Sequence, residues 1–165
     1  MRRYFAPYSL LVLLLTSLSV WAVPDDLDGD GKPDRIKEVS QSNTKDTFET
    51  TKKVSIWLSG HNEPLTVMLT SSSSDLDVYV SNKGELIVDR SNSSSRDGAE
   101  LDYSTYLWHP DHQAFCLAAT TSGIPANQLA GEVGPSHMEV EHYTGCLKLG
   151  EDESQAVPVP VSKAP

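Results

Sequence analysis

Residues 76–90 read LDVYVSNKGELIVDR. Leu76, Val78 and Val80 alternate with Asp77, Tyr79 and Ser81, and a period of two sends successive side chains to opposite faces of an extended chain. Asn82-Lys83-Gly84 interrupts the pattern before ELIVDR resumes it. A short turn ending in glycine between two such runs predicts a β-hairpin.

The same alternation extends both ways from this hairpin. Upstream, Val54, Ile56 and Leu58 alternate with Ser55, Trp57 and Ser59, and Leu65, Val67 and Leu69 with Thr66, Met68 and Thr70. Earlier still, RIKEVSQ is strand-like. Downstream come STYLW (104–108) and AFCLAATT (114–121), joined through HPDHQ with its turn-forming Pro110 and Asp111. HMEVEHY (137–143) and CLKLGE (146–151) form a last pair, linked by Thr144-Gly145. About eight strands at regular spacing, without a long helical periodicity, predict an all-β fold: an antiparallel β-sandwich or barrel.

Residues 1–22 belong to a different kind of sequence. Arg2 and Arg3 precede the apolar run LLVLLLTSLSVW, and Val20-Trp21-Ala22 ends it, the pattern of a signal peptide cleaved after Ala22. The run is shorter than the ~20 residues that span a bilayer, so no membrane span is expected in the exported form. A single β domain over 23–152 follows, then a proline-rich tail over 153–165 that is expected to be disordered. A periplasmic or secreted location is expected.

Cys116 and Cys146 are the two cysteines. Their neighbours Phe115 and Leu117, and Leu147 and Leu149, point away from them, so both sulfurs can lie on one side of adjacent strands. In an exported chain a disulfide is expected; two buried thiols are the alternative. SNSSSRDG (91–98) reads as a polar loop. The fifteen residues of SGIPANQLAGEVGPS (122–136) exceed an ordinary hairpin connection. They are either a variable connector or a contact loop, in which Ser122, Gly123 and Asn127 are the candidate partner-binding residues.

Formal charge is −10, from 13 basic and 23 acidic residues. Cleavage removes two of the basic residues and none of the acidic ones, which leaves −12. Nucleic acid and anionic membranes demand a basic surface. The balance favours a cation or a basic protein instead.

The acidic residues concentrate in DDLDGDGKPDRI (25–36), which places five carboxylates in ten residues. Asp26, Asp28, Asp30 and Asp34 stand at positions 1, 3, 5 and 9 of one loop, with Gly31 at position 6 and Lys32 at position 7. Alternate carboxylates can converge on one centre, glycine permits the reversal, and the Lys32 carbonyl can complete an oxygen cage for Ca2+. An EF-hand needs a glutamate at position 12, where this chain has Lys37. The alternative to an ion site is a solvated acidic turn.

DLDGDGKPD resembles the D-x-D-G-D-G-x-x-D calcium loops of FG-GAP and VCBS repeats at every defined position, and it occurs once. With VSNKGELIVDR, FCLAATT and VEHYTGCLKL, the chain looks like the periplasmic FG-GAP-like proteins related to inhibitors of invertebrate-type lysozyme, some of which are immunity proteins against peptidoglycan hydrolases. The resemblance spans most of 25–151. It implies a β-sandwich with calcium at its edge and, as partner, a basic peptidoglycan hydrolase inhibited by an inserted loop. Lysozyme inhibitors often use Ser-Gly-x-x-Tyr; SGHNE (59–63) and SGIPA (122–126) carry no such tyrosine.

Enzyme chemistry finds no motif here: G-x-S-x-G and H-E-x-x-H are absent from the sequence, and the chain is expected not to be an enzyme. His109 and His112 can bind a metal or lie solvated in a turn. His137 and His142 fall on opposite faces of one strand. Asn92-Ser93-Ser94 is a glycosylation sequon. Trp57 and Trp108 read equally as core or as a carbohydrate platform, so a calcium-stabilised surface or carbohydrate-binding module is the alternative function.

Overall fold

The computed structural model describes residues 25–42, 49–72, 76–91, 100–124 and 137–160. The expected signal segment, Asn127 and most of the long connection around it, and the sequon at Asn92 lie outside them. The described chain forms an acidic loop followed by strands β1 (Arg35–Ser42), β2 (Thr50–Trp57), β3 (Leu65–Ser71), β4 (Asp77–Val80), β5 (Leu86–Asp89), β6 (Leu101–His109), β7 (Ala114–Ile124), β8 (His137–Thr144) and β9 (Val157–Pro158).

Chain order is also spatial order. β1-β2-β3 make a three-stranded sheet and β4 to β9 a six-stranded one, with every pair antiparallel. The central hairpin forms as its pattern requires. Val78 faces Val88 and Val80 faces Leu86 across it, while Gly84, at φ +77°, takes the left-handed turn that a side chain disfavours.

Alternation decides what is buried. Val54, Ile56 and Leu69 from the first sheet, with Leu58 just beyond β2, meet Val78, Leu86, Val88, Tyr106, Phe115 and Leu117 from the second in one apolar cluster. The two sheets therefore form the layers of an all-β sandwich. Cys116 and Cys146 are joined in a disulfide, their Cα atoms 4.7 Å apart.

Residues 146–151 depart from the expected final hairpin. Leu117 N donates to Leu147 O at 2.9 Å and Leu149 N to Phe115 O at 2.9 Å, with a single bridge between Cys116 and Lys148. This segment thus lies along the first half of β7, while β8 lies along its second half. Thr144-Gly145 is a jog in one continuing path, permitted by Gly145 at φ +82°, and not a reversal. The tail was also expected to be free of the domain, yet Glu153–Gln155 form a 3-10 turn and Val157–Pro158 pair with Thr144 and Tyr143. Residues 161–165 lie outside the described set.

A polar tie joins the two layers, which apolar packing alone would leave free to slide. Lys52, facing inward from β2, donates to Glu38 on β1 at 2.8 Å and to Asp77 on β4 at 2.6 Å. Glu38 also accepts the Val78 amide at 2.8 Å. Within the second sheet Glu153 accepts from Arg90 (2.7 Å), Ser104 (2.8 Å) and Tyr106 (2.7 Å), which holds the 3-10 turn on that sheet. Burial first, then the Glu153 charge, pushes the Tyr106 phenol far above its ordinary pKa.

Burial works against the Lys52 charge, but its bonds to Asp77 and Glu38 outweigh that and raise its pKa above 10.5. The stability it contributes is therefore complete below that pH and is lost as pH rises through the folded value. Lys52→Met leaves the part-buried Glu38 with the Val78 amide alone while Asp77 stays hydrated, and is expected to lower unfolding free energy by about 1–2 kcal/mol at pH 7. In urea melts this difference from wild type should shrink above pH 10.5.

Candidate metal centre

The acidic loop is built from side-chain-to-backbone bonds, which aspartate makes readily because its short carboxylate reaches amides a few residues ahead. Asp26 accepts Gly29 N at 2.8 Å and Gly31 N at 3.0 Å. Asp28 accepts Asp30 N at 3.1 Å, and Asp30 accepts Lys32 N at 2.8 Å. Gly29 and Gly31, at φ +77° and +82°, supply the left-handed turns that keep the loop this short.

Three contacts seat the loop on the sandwich. Leu27, the one apolar residue between Asp25 and Asp30, is 4% exposed and belongs to the central cluster. Asp34, itself buried, closes the loop by accepting Leu27 N at 2.7 Å and then reaches the β2–β3 turn by accepting Ser59 N at 2.8 Å. Finally, Gly84 approaches so closely that a Cβ there would lie 2.6 Å from the Asp26 carbonyl oxygen.

This seating draws Asp26, Asp28 and Asp34 together. One oxygen from each lies within 4.8 Å of the others, the one such group of metal-ligating side chains among the described residues. The set can hold a metal ion, and its all-oxygen chemistry suits a hard cation. Burial raises the Asp28 pKa, and the neighbouring Asp34, Asp30 and Asp26 charges raise it further against the one amide that opposes them. A cation would relieve that repulsion.

The Asp30 side chain stands outside the three-carboxylate group. The Asp30 carboxylate receives the Ser59 hydroxyl and the Lys32 ammonium, the latter at 3.2 Å. The Ser59 bond comes first among the causes that hold its pKa below the ordinary value. Asp30 therefore braces the loop against the β2–β3 turn beside the three-carboxylate group. Ser59 had no signal in the sequence, whereas Leu27, an apolar residue inside an acidic run, did.

The remaining sequence candidates separate. Ser122 and Gly123 lie within β7, paired to Asp102 and Leu101 on one side and to Glu139 and Met138 on the other. That pairing removes them from the loop in which a contact role was expected. His109 and His112 sit in an exposed turn with ring centres 5.8 Å apart. Trp108 packs against the core, and Trp57 is 37% exposed.

Comparison of the chain with protein-family models, with curated proteins and with solved structures finds no match in any of the three.

Close approach at Gly84 yields a graded prediction. Gly84→Ala combines a backbone clash with a left-handed φ and is expected to lower stability by about 3 kcal/mol, whereas Gly29→Ala, strained in φ but facing open space, should lose about 1 kcal/mol. Thermal melts with and without divalent cation check this, and only Gly84→Ala should also blunt the response to the ion.

Proposed function

We propose that the protein is an exported, calcium-stabilised binding protein directed at a basic partner protein, with a lysozyme-type peptidoglycan hydrolase as the partner that the sequence resemblance implies. The observation that carries the reading is the group formed by Asp26, Asp28 and Asp34, drawn from both ends of one loop and seated on the core by Leu27. Calcium is favoured over magnesium because a dense carboxylate loop offers many protein oxygens, while magnesium keeps its waters. Bound calcium would neutralise the loop and tie the first described residues to the sandwich; its work is structural.

Export is supported by the disulfide, which persists in oxidising compartments. Among the described residues no helix is long and apolar enough to cross a membrane. The choice of a basic partner rests on charge: a chain at −10 attracts cationic surfaces and accelerates their encounter. Inhibition would follow if the bound surface overlaps the partner's cleft.

Calcium at about a hundred times its dissociation constant should raise stability by about 2.7 kcal/mol. EGTA should reverse the gain, and Asp34→Asn should remove most of it. An unchanged melting temperature in calcium and in EGTA would overturn the metal reading. For the partner, lysis by basic peptidoglycan hydrolases should fall at near-stoichiometric ratios. Undiminished lysis, with the protein retained on a glycan resin, would move the assignment to a carbohydrate-binding module.

A further inference from the structure

One pocket lies outside the metal centre and is linked to it through the β2–β3 turn. It has a volume of about 220 Å³ and opens between the β2–β3 turn and the β6–β7 turn. Buried Ile56 and Leu58 lie at its base. Trp108 lines it, held edge-on by Phe115 with ring centres 5.2 Å apart and by His61 at 5.6 Å. Glu63 and Gln113 supply its polar groups.

Three properties narrow what fits. The lining contains no lysine or arginine, and Glu63 enters none of the ion pairs among the described residues. The volume falls below the ~300 Å³ at which pockets begin to enclose drug-sized ligands, so one side chain fits and an oligosaccharide does not. The walls are held in place from outside. Ser59, which begins the turn that carries His61 and Glu63, is fixed by Asp34 and Asp30 of the acidic loop. Gln113 stands at φ +46°, a left-handed conformation that a non-glycine residue keeps only when its surroundings impose it.

We propose that this pocket receives one arginine side chain from the basic partner, with its guanidinium against the Trp108 indole and paired to the Glu63 carboxylate. The argument is one of charge complementarity between a cationic guanidinium and an anionic chain whose Glu63 carboxylate, outside every ion pair among the described residues, lines the pocket with an aromatic ring. Arginine suits it better than lysine because the planar, weakly hydrated guanidinium stacks on aromatic surfaces and pairs with a carboxylate at once. Interfaces concentrate their binding energy in such anchors. The proposal rests on the reading of the chain as a binder of basic proteins and assigns that role to a particular pocket.

The test uses the whole chain and three probes: Nα-acetyl-arginine amide, Nα-acetyl-lysine amide and an N-acetylglucosamine oligomer. The indole N–H signal of Trp108 is followed by NMR, assigned as the one signal missing from the spectrum of Trp108→Phe. The arginine probe should shift that signal saturably, at least about threefold more tightly than the lysine probe, and the oligomer should leave it unmoved. Glu63→Gln, a change on an exposed residue, should weaken the arginine probe by about tenfold or more while the melting temperature stays constant. No saturable shift, equal affinity in Glu63→Gln, or a shift caused by the oligomer would overturn the proposal. Should hydrolase inhibition persist in Glu63→Gln while the arginine probe fails, the pocket falls and the binding reading stands. Binding of the probe without any effect on basic hydrolases leaves the pocket standing and removes the hydrolase.

Discussion

The Asp34 carboxylate holds together two parts of the chain far apart in sequence, the acidic loop and the β2–β3 turn. One oxygen accepts the Leu27 amide and closes the acidic loop; the other accepts the Ser59 amide and fastens that loop to the β2–β3 turn. Asp34 is 8% exposed, so these are not solvent-exchangeable surface contacts. Hydrogen bonds from neutral donors to an ionised, buried carboxylate are stronger than neutral pairs, and leaving such a charge without donors is costly. The closure of the loop and its attachment beside the core follow from these two hydrogen bonds, which also bring Asp34 next to Asp26 and Asp28.

Placing an anion so close to the core has a consequence for the rest of the loop. Asp26 and Asp28 must sit near Asp34 because the chain between them is short, and like charges at that distance disfavour one another. The fold offers backbone amides in part compensation: Gly29 and Gly31 bond Asp26, and Asp30 bonds Asp28. These donors orient the carboxylates without neutralising them. A cation would do what amides cannot, so the same residues that shape the loop also form a group that could hold a metal ion.

Much of this architecture is legible in the sequence, because a period of two writes strand and facing into the residue order itself. The 76–90 hairpin, β2, β3 and the run into β7 follow from alternation alone. What alternation cannot distinguish is a reversal from a jog: Thr144-Gly145 looks like a hairpin turn, but with β9 beside Tyr143 and Thr144 the chain instead continues along β7. β9 itself is two residues long, too short to carry a period. Lys52 shows the opposite failure, since its place in register with Val54 and Ile56 marks it as inward, while its charge suggests exposure until Glu38 and Asp77 are seen around it. At the acidic loop, spacing identifies four aspartates but cannot separate Asp30 from the rest, because its partner Ser59 lies 29 residues away.

That same separation explains how a site at the first described residues can influence a surface formed by the middle of the chain. Ser59 joins the loop to a turn whose later residues, His61 and Glu63, line the pocket beside Trp108. Because the amide and the hydroxyl of Ser59 are held by different aspartates, the loop restrains the turn at two points and not one. Asp34 belongs to the three-carboxylate group that could hold a metal ion and Asp30 stands beside it, so the two restraints come from different parts of the loop. The turn is thus anchored both through the candidate metal group and independently of it.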